Sequence, residues 1–138
     1  RVARELIDSG QGGRIINIAS IAGKGYSGTS NAAYAASKGA VLALTQIAAH
    51  QLGRYDINVN AICPGVTRTP MSQATMVQRS QNLGLPMEEL EERRNANIPI
   101  GRANEPEDIA EMAVFLAGPG SRNITGQAFN VDGGLVMH

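Results

Sequence analysis

Arg14-Ile15-Ile16-Asn17-Ile18-Ala19-Ser20, Tyr34-Ala35-Ala36-Ser37-Lys38 and Ile57-Asn58-Val59-Asn60-Ala61-Ile62-Cys63-Pro64-Gly65 decide the fold between them. The first and third are short apolar runs bounded by turn residues, as buried strands are, and they predict strands over Ile15–Ala19 and Ile57–Ile62. An alanine-rich segment lies between them. It predicts one long helix, opened by Ser30 or Asn31 as N-cap and closed near Leu52 with Gly53 as C-cap. Strand, helix and strand in that order imply a right-handed parallel βαβ unit. Pro64 and Gly65 end the second strand, because proline offers no ladder donor and glycine permits close approach.

Outward from this unit the pattern stays α/β. Arg1 to Ser9 predicts the end of an amphipathic helix, broken by Gly10, Gly12 and Gly13. Pro70, Gly84, Pro86 and Pro99 punctuate Met71 to Asn97 into short helical stretches such as Met87 to Arg94, read as a mobile cap over a substrate site, with a plain surface excursion as the alternative. Within it Glu88 to Arg94 reads as a solvated charged helix with i to i+4 pairing. Asn104-Glu105-Pro106-Glu107 starts a helix that carries Ile109, Met112, Ala113 and Leu116 on one face. Gly118-Pro119-Gly120 stops it, and Gln127 to Asp132 is a third strand ended by Gly133-Gly134.

Composition narrows the function. At 138 residues, with 43% hydrophobic and 17% charged residues and 16 glycines, the chain suits one Gly/Ala-rich α/β domain or part of one. Twelve basic against 12 acidic residues leave no basic field for a phosphate backbone, so nucleic acid is not an expected partner. The single Cys63 forms no internal disulfide, and two histidines are too few for a metal cluster. A reducing, cytoplasmic setting and no membrane span are therefore expected. Asp56 and Asp132 read as turn formers, and His50 as a helix-surface residue.

The chemistry lies in Ser20, Tyr34 and Lys38. Ligands of open parallel sheets bind beyond the carboxyl ends of the strands, which places Ser20, Tyr34, Pro64 and Gly65 at one crevice. Tyr34 and Lys38 stand four apart, on one helix face. A free phenol, with a pKa near 10, is a poor base at neutral pH unless a cation stabilises its anion, and Lys38 is placed to be that cation. A carbonyl accepting hydride needs a proton and a second donor at its oxygen. Tyr34 can give the proton and Ser20 the second hydrogen bond.

Asn17-Ile18-Ala19-Ser20, Tyr34 to Lys38, Asn58 to Gly65, and Ile124-Thr125-Gly126-Gln127 leading to Val131-Asp132-Gly133-Gly134 together closely resemble the short-chain dehydrogenase/reductase family, from Arg14 to the end. The resemblance implies a Rossmann-like doubly wound parallel sheet and NAD or NADP as cofactor. By it, Ser20 orients a carbonyl, Tyr34 is the general acid/base, and Lys38 also binds the nicotinamide ribose hydroxyls. Pro64, Gly65, Val66 and Thr69 then contact the nicotinamide, with Thr67 a less certain neighbour. A small-molecule alcohol or carbonyl substrate and a homodimer or homotetramer built on the Ala32–Leu52 helix also follow from the resemblance.

The departures are equally informative. No glycine-rich turn joins a strand to a helix, since Gly10-Gln11-Gly12-Gly13 precedes a strand, and no residue that would choose between NAD and NADP is recognisable. The family's catalytic asparagine has no counterpart in Arg1 to Gly10. The chain thus resembles the carboxyl-terminal, substrate-side half of such an enzyme, and is expected to expose a strand edge and to be inactive by itself. Cys63-Pro64-Gly65 followed by Thr69-Pro70-Met71 resembles members acting on polyols, diols or sugars. The 3-oxoacyl carrier reductases, a binding module without turnover and an inert fragment are the alternatives.

Overall fold

Ile57–Pro64 (β2) is the buried spine of a parallel sheet in the order β1-β2-β3, with β1 at Gly13–Ile18 and β3 at Ala128–Val131. The coordinates are a computed structural model that describes residues 1–28 and 31–138. Gly13 faces Ile57 and Ile18 faces Ile62 across the first ladder, and Ala61 faces Ala128 and Pro64 faces Val131 across the second. Ala19 lies just past β1, yet its N–H still donates to the Ile62 carbonyl at 2.8 Å. Among the described residues β1 is paired on one side only, and Ile18 is half exposed.

Alternation along β2 divides the core. Ile57, Val59, Ala61 and Cys63 turn to the face covered by α2 (Ala32–Leu52) and α1 (Val2–Ser9), where they meet Leu6, Ala49 and Leu52 at one end and Ile21, Val41 and Leu42 at the other. Asn58 and Asn60 turn the other way, where their side-chain amides donate to the carbonyls of Arg122 and Ile124. Paired in this way, both asparagines avoid the penalty of a buried polar group without a partner. Those bonds clamp the connection from α5 (Pro106–Ala117) to β3.

Asn31 caps α2, its side-chain oxygen accepting the Tyr34 N–H at 2.9 Å; Ser30, the other candidate, lies outside the described residues. Gly53 does not reverse the chain at the other end. It keeps a right-handed φ of −55° and α2 runs on into a 3-10 turn, so the left-handed residue is Asp56, at φ 56°. The reason is tertiary: the Asp56 carbonyl must meet the Gly13 N–H that begins β1. Aspartate tolerates this conformation better than most side chains.

Residues 70–97 hold two helices, α3 (Pro70–Leu83), longer than expected, and α4 (Met87–Asn95). The charged stretch 88–94 is not merely a solvated helix, for Leu90 is buried and Glu91 reaches away to Arg68. The i to i+4 pairing expected there holds for Glu89 and Arg93. Among the described residues no helix is long and apolar enough to cross a membrane.

Gly65 fixes how the end of β2 meets the end of β3. A Cβ on it would stand 2.5 Å from the Asp132 Cβ and 2.8 Å from its Cα, so no side chain fits. Gly65→Ala should lower the folding free energy by about 1–3 kcal/mol, the usual cost of overpacking, read as a lower urea midpoint at unchanged slope.

Candidate active site

Lys38 ties the helix to the strand. Its ammonium donates to the Ile18 carbonyl at 3.0 Å and stands 5.7 Å from the centroid of the Tyr34 ring, inside cation–π range. Ser20 follows Ile18 by two residues and caps a 3-10 turn over Ile21–Lys24, its hydroxyl oxygen accepting the Ala22 N–H at 3.1 Å. That turn lies backbone to backbone on α2: a Cβ on Gly23 would fall 2.7 Å from the Lys38 carbonyl carbon. Ser20, Tyr34 and Lys38 therefore share the junction between the end of β1 and the first turns of α2.

Each has a distinct environment. Ser20 is 7% exposed, whereas Tyr34 is 43% exposed and open to a ligand. Tyr34 is also the third residue of α2, at the positive end of a 21-residue helix, where negative charge is favoured. Ser37 donates back to the Tyr34 carbonyl at 2.7 Å, a local bond that commits its hydroxyl proton to the helix.

Pro64, Gly65, Val66 and Thr67 leave the carboxyl end of β2 as one pinned segment. Gly65 N–H donates to the Val131 carbonyl, Val66 accepts from the Asn104 N–H, and the Thr67 hydroxyl donates to the Gly65 carbonyl at 3.2 Å. Thr69 differs from Thr67 in keeping its hydroxyl proton. Its hydroxyl oxygen accepts the Ser72 N–H and its own N–H donates to the Ser72 hydroxyl, so it is the N-cap of α3 with only a hydroxyl proton to spare.

The donors present suit a ribose diol. Lys38 has three protons and spends one on Ile18, leaving two for adjacent hydroxyls, and the Tyr34 phenol is beside it. Around the end of β2, by contrast, the Gly65 N–H, the Val66 carbonyl and the Thr67 hydroxyl are already engaged within the protein, while Thr69 keeps its hydroxyl proton.

Two supports were not visible in the sequence. Asn104 clamps the segment after β2 by donating its side-chain amide to the Val131 carbonyl at 2.6 Å and by accepting the Arg68 N–H. Arg68 then joins Glu91 of α4, at 2.9 Å, to Glu105 at the start of α5, at 2.7 Å. Hydrogen bonds from its guanidinium to Glu105 and then Glu91 hold its proton more tightly than usual. The only sequence signal was an arginine beside a threonine expected to touch a ligand.

Cys63 is fully buried next to this junction. Burial pushes its thiol up, the Lys24 ammonium and the Ser20 N–H pull it down, and the Asp132 carboxylate adds to the rise.

The chain is similar to known proteins along almost all its length. A family model described as enoyl-(acyl carrier protein) reductase, of the short-chain alcohol dehydrogenase type, matches residues 1–136. The (3R)-3-hydroxyacyl-CoA dehydrogenase of Rattus norvegicus is 43% identical over 136 residues, which is 98% of this chain and 48% of that enzyme. Sorbitol-6-phosphate 2-dehydrogenase from Erwinia amylovora superposes with a TM-score of 0.89 at 34% identity, over 99% of this chain and 53% of that one. An actinorhodin polyketide ketoreductase solved with NADPH gives 0.83 at 41% identity, over 94% and 49%. The chain spans about half the length of these relatives.

The raised thiol has a signed consequence. Its folded pKa lies above its unfolded one, so its contribution to stability is whole below the ordinary thiol range and is lost as pH rises toward the folded value. Thermal melts should show stability falling on the alkaline side, and Cys63→Ala should flatten that fall while lowering the plateau.

Proposed function

Because the chain belongs to the short-chain dehydrogenase/reductase family, we propose that it forms the substrate-side half of an NAD(P)-dependent oxidoreductase that interconverts a secondary alcohol and a ketone. The observation that carries this reading is the Lys38 ammonium, bonded to Ile18 at 3.0 Å and held beside the Tyr34 ring. The cofactor, when bound, supplies hydride in one direction and accepts it in the other.

The chain's own residues do the rest. Ser20 receives the Ala22 N–H on one lone pair, which fixes its hydroxyl while leaving the O–H free to donate to a substrate oxygen. Tyr34 passes its phenolic proton to that oxygen as negative charge builds there, and takes the proton back in the oxidation direction. Lys38 and the positive end of α2 both stabilise the phenolate left behind. Two Lys38 protons remain that would hold ribose hydroxyls, and Pro64, Gly65, Val66 and Thr69 would border the nicotinamide, Thr69 with its free hydroxyl proton.

For substrate we read a polyol, diol or sugar derivative, supported by the likeness to the sorbitol-6-phosphate dehydrogenase. A 3-oxoacyl thioester is the second reading, supported by the identity to the rat hydroxyacyl-CoA enzyme. The outer face of α2, where Leu44 is 60% and Ile47 57% exposed, is read as the face that meets another copy in a homodimer or homotetramer.

In the full-length protein, reduction of fructose 6-phosphate, diacetyl and acetoacetyl-CoA with NADH and NADPH separates the substrate readings. Tyr34→Phe should remove turnover almost wholly, with cofactor affinity retained. Ser20→Ala should lower kcat about 100- to 1,000-fold, the usual loss for one aimed donor. Full activity in Tyr34→Phe would rule the mechanism out. Light scattering that returns a monomer for the full-length protein would rule out the α2 contact.

A further inference from the structure

Lys24 closes the turn that Ser20 opens. Its ammonium donates to the Ala128 carbonyl of β3 at 2.9 Å and to the His138 carbonyl at 2.8 Å, bonds that span 104 and 114 residues. The segment it holds is ordered in its own right. Asp132 accepts the Gly134 and Val136 N–H groups on its two carboxylate oxygens, and the Asn130 amide donates to the carbonyls of Val136 and His138. Leu135 and Val136 then pack over the cluster of Ala19, Ile21, Ala61 and Cys63, directly beneath the Ser20 turn.

We propose that Lys24 is a positioning residue for Ser20: by binding Ala128 and His138 it locks the 21–24 turn between β3 and the 132–138 strap, and so sets where the Ser20 hydroxyl stands. The proposal rests on the reading of Ser20 as a donor to the reacting oxygen. A charged donor on two carbonyls is a strong tether, stronger than neutral hydrogen bonds of the same length. The turn has only four residues, so slack at Lys24 is passed straight to the Ser20–Ala22 hydrogen bond at its other end.

The test uses the full-length protein with Lys24→Met, Lys24→Gln and Lys24→Arg, the glutamine variant serving in each measurement if the methionine one fails to fold. Amide exchange at Ala22 should quicken about tenfold in Lys24→Met relative to Ala61 in the β2 ladder, and return toward the parent rate in Lys24→Arg. Unchanged exchange at Ala22, or equal acceleration at both amides, overturns the assignment. In the kinetic arm, with the best ketone of the panel above, Lys24→Met should lower kcat about tenfold and leave KM for the cofactor unchanged. Added to Ser20→Ala it should cost nothing more. Full additivity overturns the Lys24 assignment alone. A full rate in Ser20→Ala overturns the catalytic reading, and the assignment with it, while leaving the exchange result as a structural tie.

Discussion

The site is built on a contact with nothing in it. Gly23 lies against the Lys38 and Gly39 backbone so closely that a methyl group there would sit 2.7 Å from one main-chain carbon and 2.9 Å from the next nitrogen. Because both sides are backbone, neither can give way by changing rotamer. The turn carrying Ser20 and the turn of α2 carrying Lys38 are thereby held at one distance, which lets the Lys38 ammonium reach the Ile18 carbonyl. A larger residue at 23 would lift the turn from α2 and separate the serine from the tyrosine without touching either. Close-packed interiors transmit such shifts because they cannot absorb them.

What could be read from the chain and what could not divides by range. Tyr34 and Lys38 were legible because an interval of four on a helix fixes two side chains on one face, whatever else the fold does. Ser20, Pro64 and Gly65 were legible as residues at the ends of apolar runs, and Asp56 as a turn former. Gly53 misled because the local rule for ending a helix favours glycine, while the carbonyl that had to meet Gly13 belonged to Asp56. The charged stretch of α4 misled in the same way, since its local pairing is real but Glu91 answers to an arginine 23 residues earlier. Asn104 and Lys24 had no local pattern at all, because their partners are carbonyls on distant strands.

These long-range bonds divide the region beyond β2 into a stiff part and a softer one. The segment after β2 is pinned through Gly65, Val66 and Arg68 main-chain bonds and through the Asn104 side chain, to β3 and to the start of α5. Beyond Thr69 the ties change character. The α3 helix is fixed at its capped start, and α4 is joined to the stiff part through Arg68 and Glu91, both more than a third exposed, where an ion pair contributes little. Displacement would thus fall on α3 and α4, while the segment after β2 keeps its place.

Among the polar residues at this junction, a simple accounting separates those able to act from those that only hold the fold. Ser20 uses one lone pair on Ala22 and keeps its proton, and Lys38 uses one proton on Ile18 and keeps two. Ser37 has given its proton to the Tyr34 carbonyl and Thr67 has given its proton to Gly65, whereas Thr69, like Ser20, accepts one N–H on its hydroxyl oxygen and keeps its proton. A side chain with all valences free would have to be ordered when ligand arrives, and one with none free has nothing to offer. Ser20, Thr69 and Lys38 lie between these limits: part of each is anchored, which fixes direction in advance, and part is left free. Preorganised donors of this kind cost no reorientation at the moment charge develops, the circumstance in which a hydrogen bond assists a reaction most.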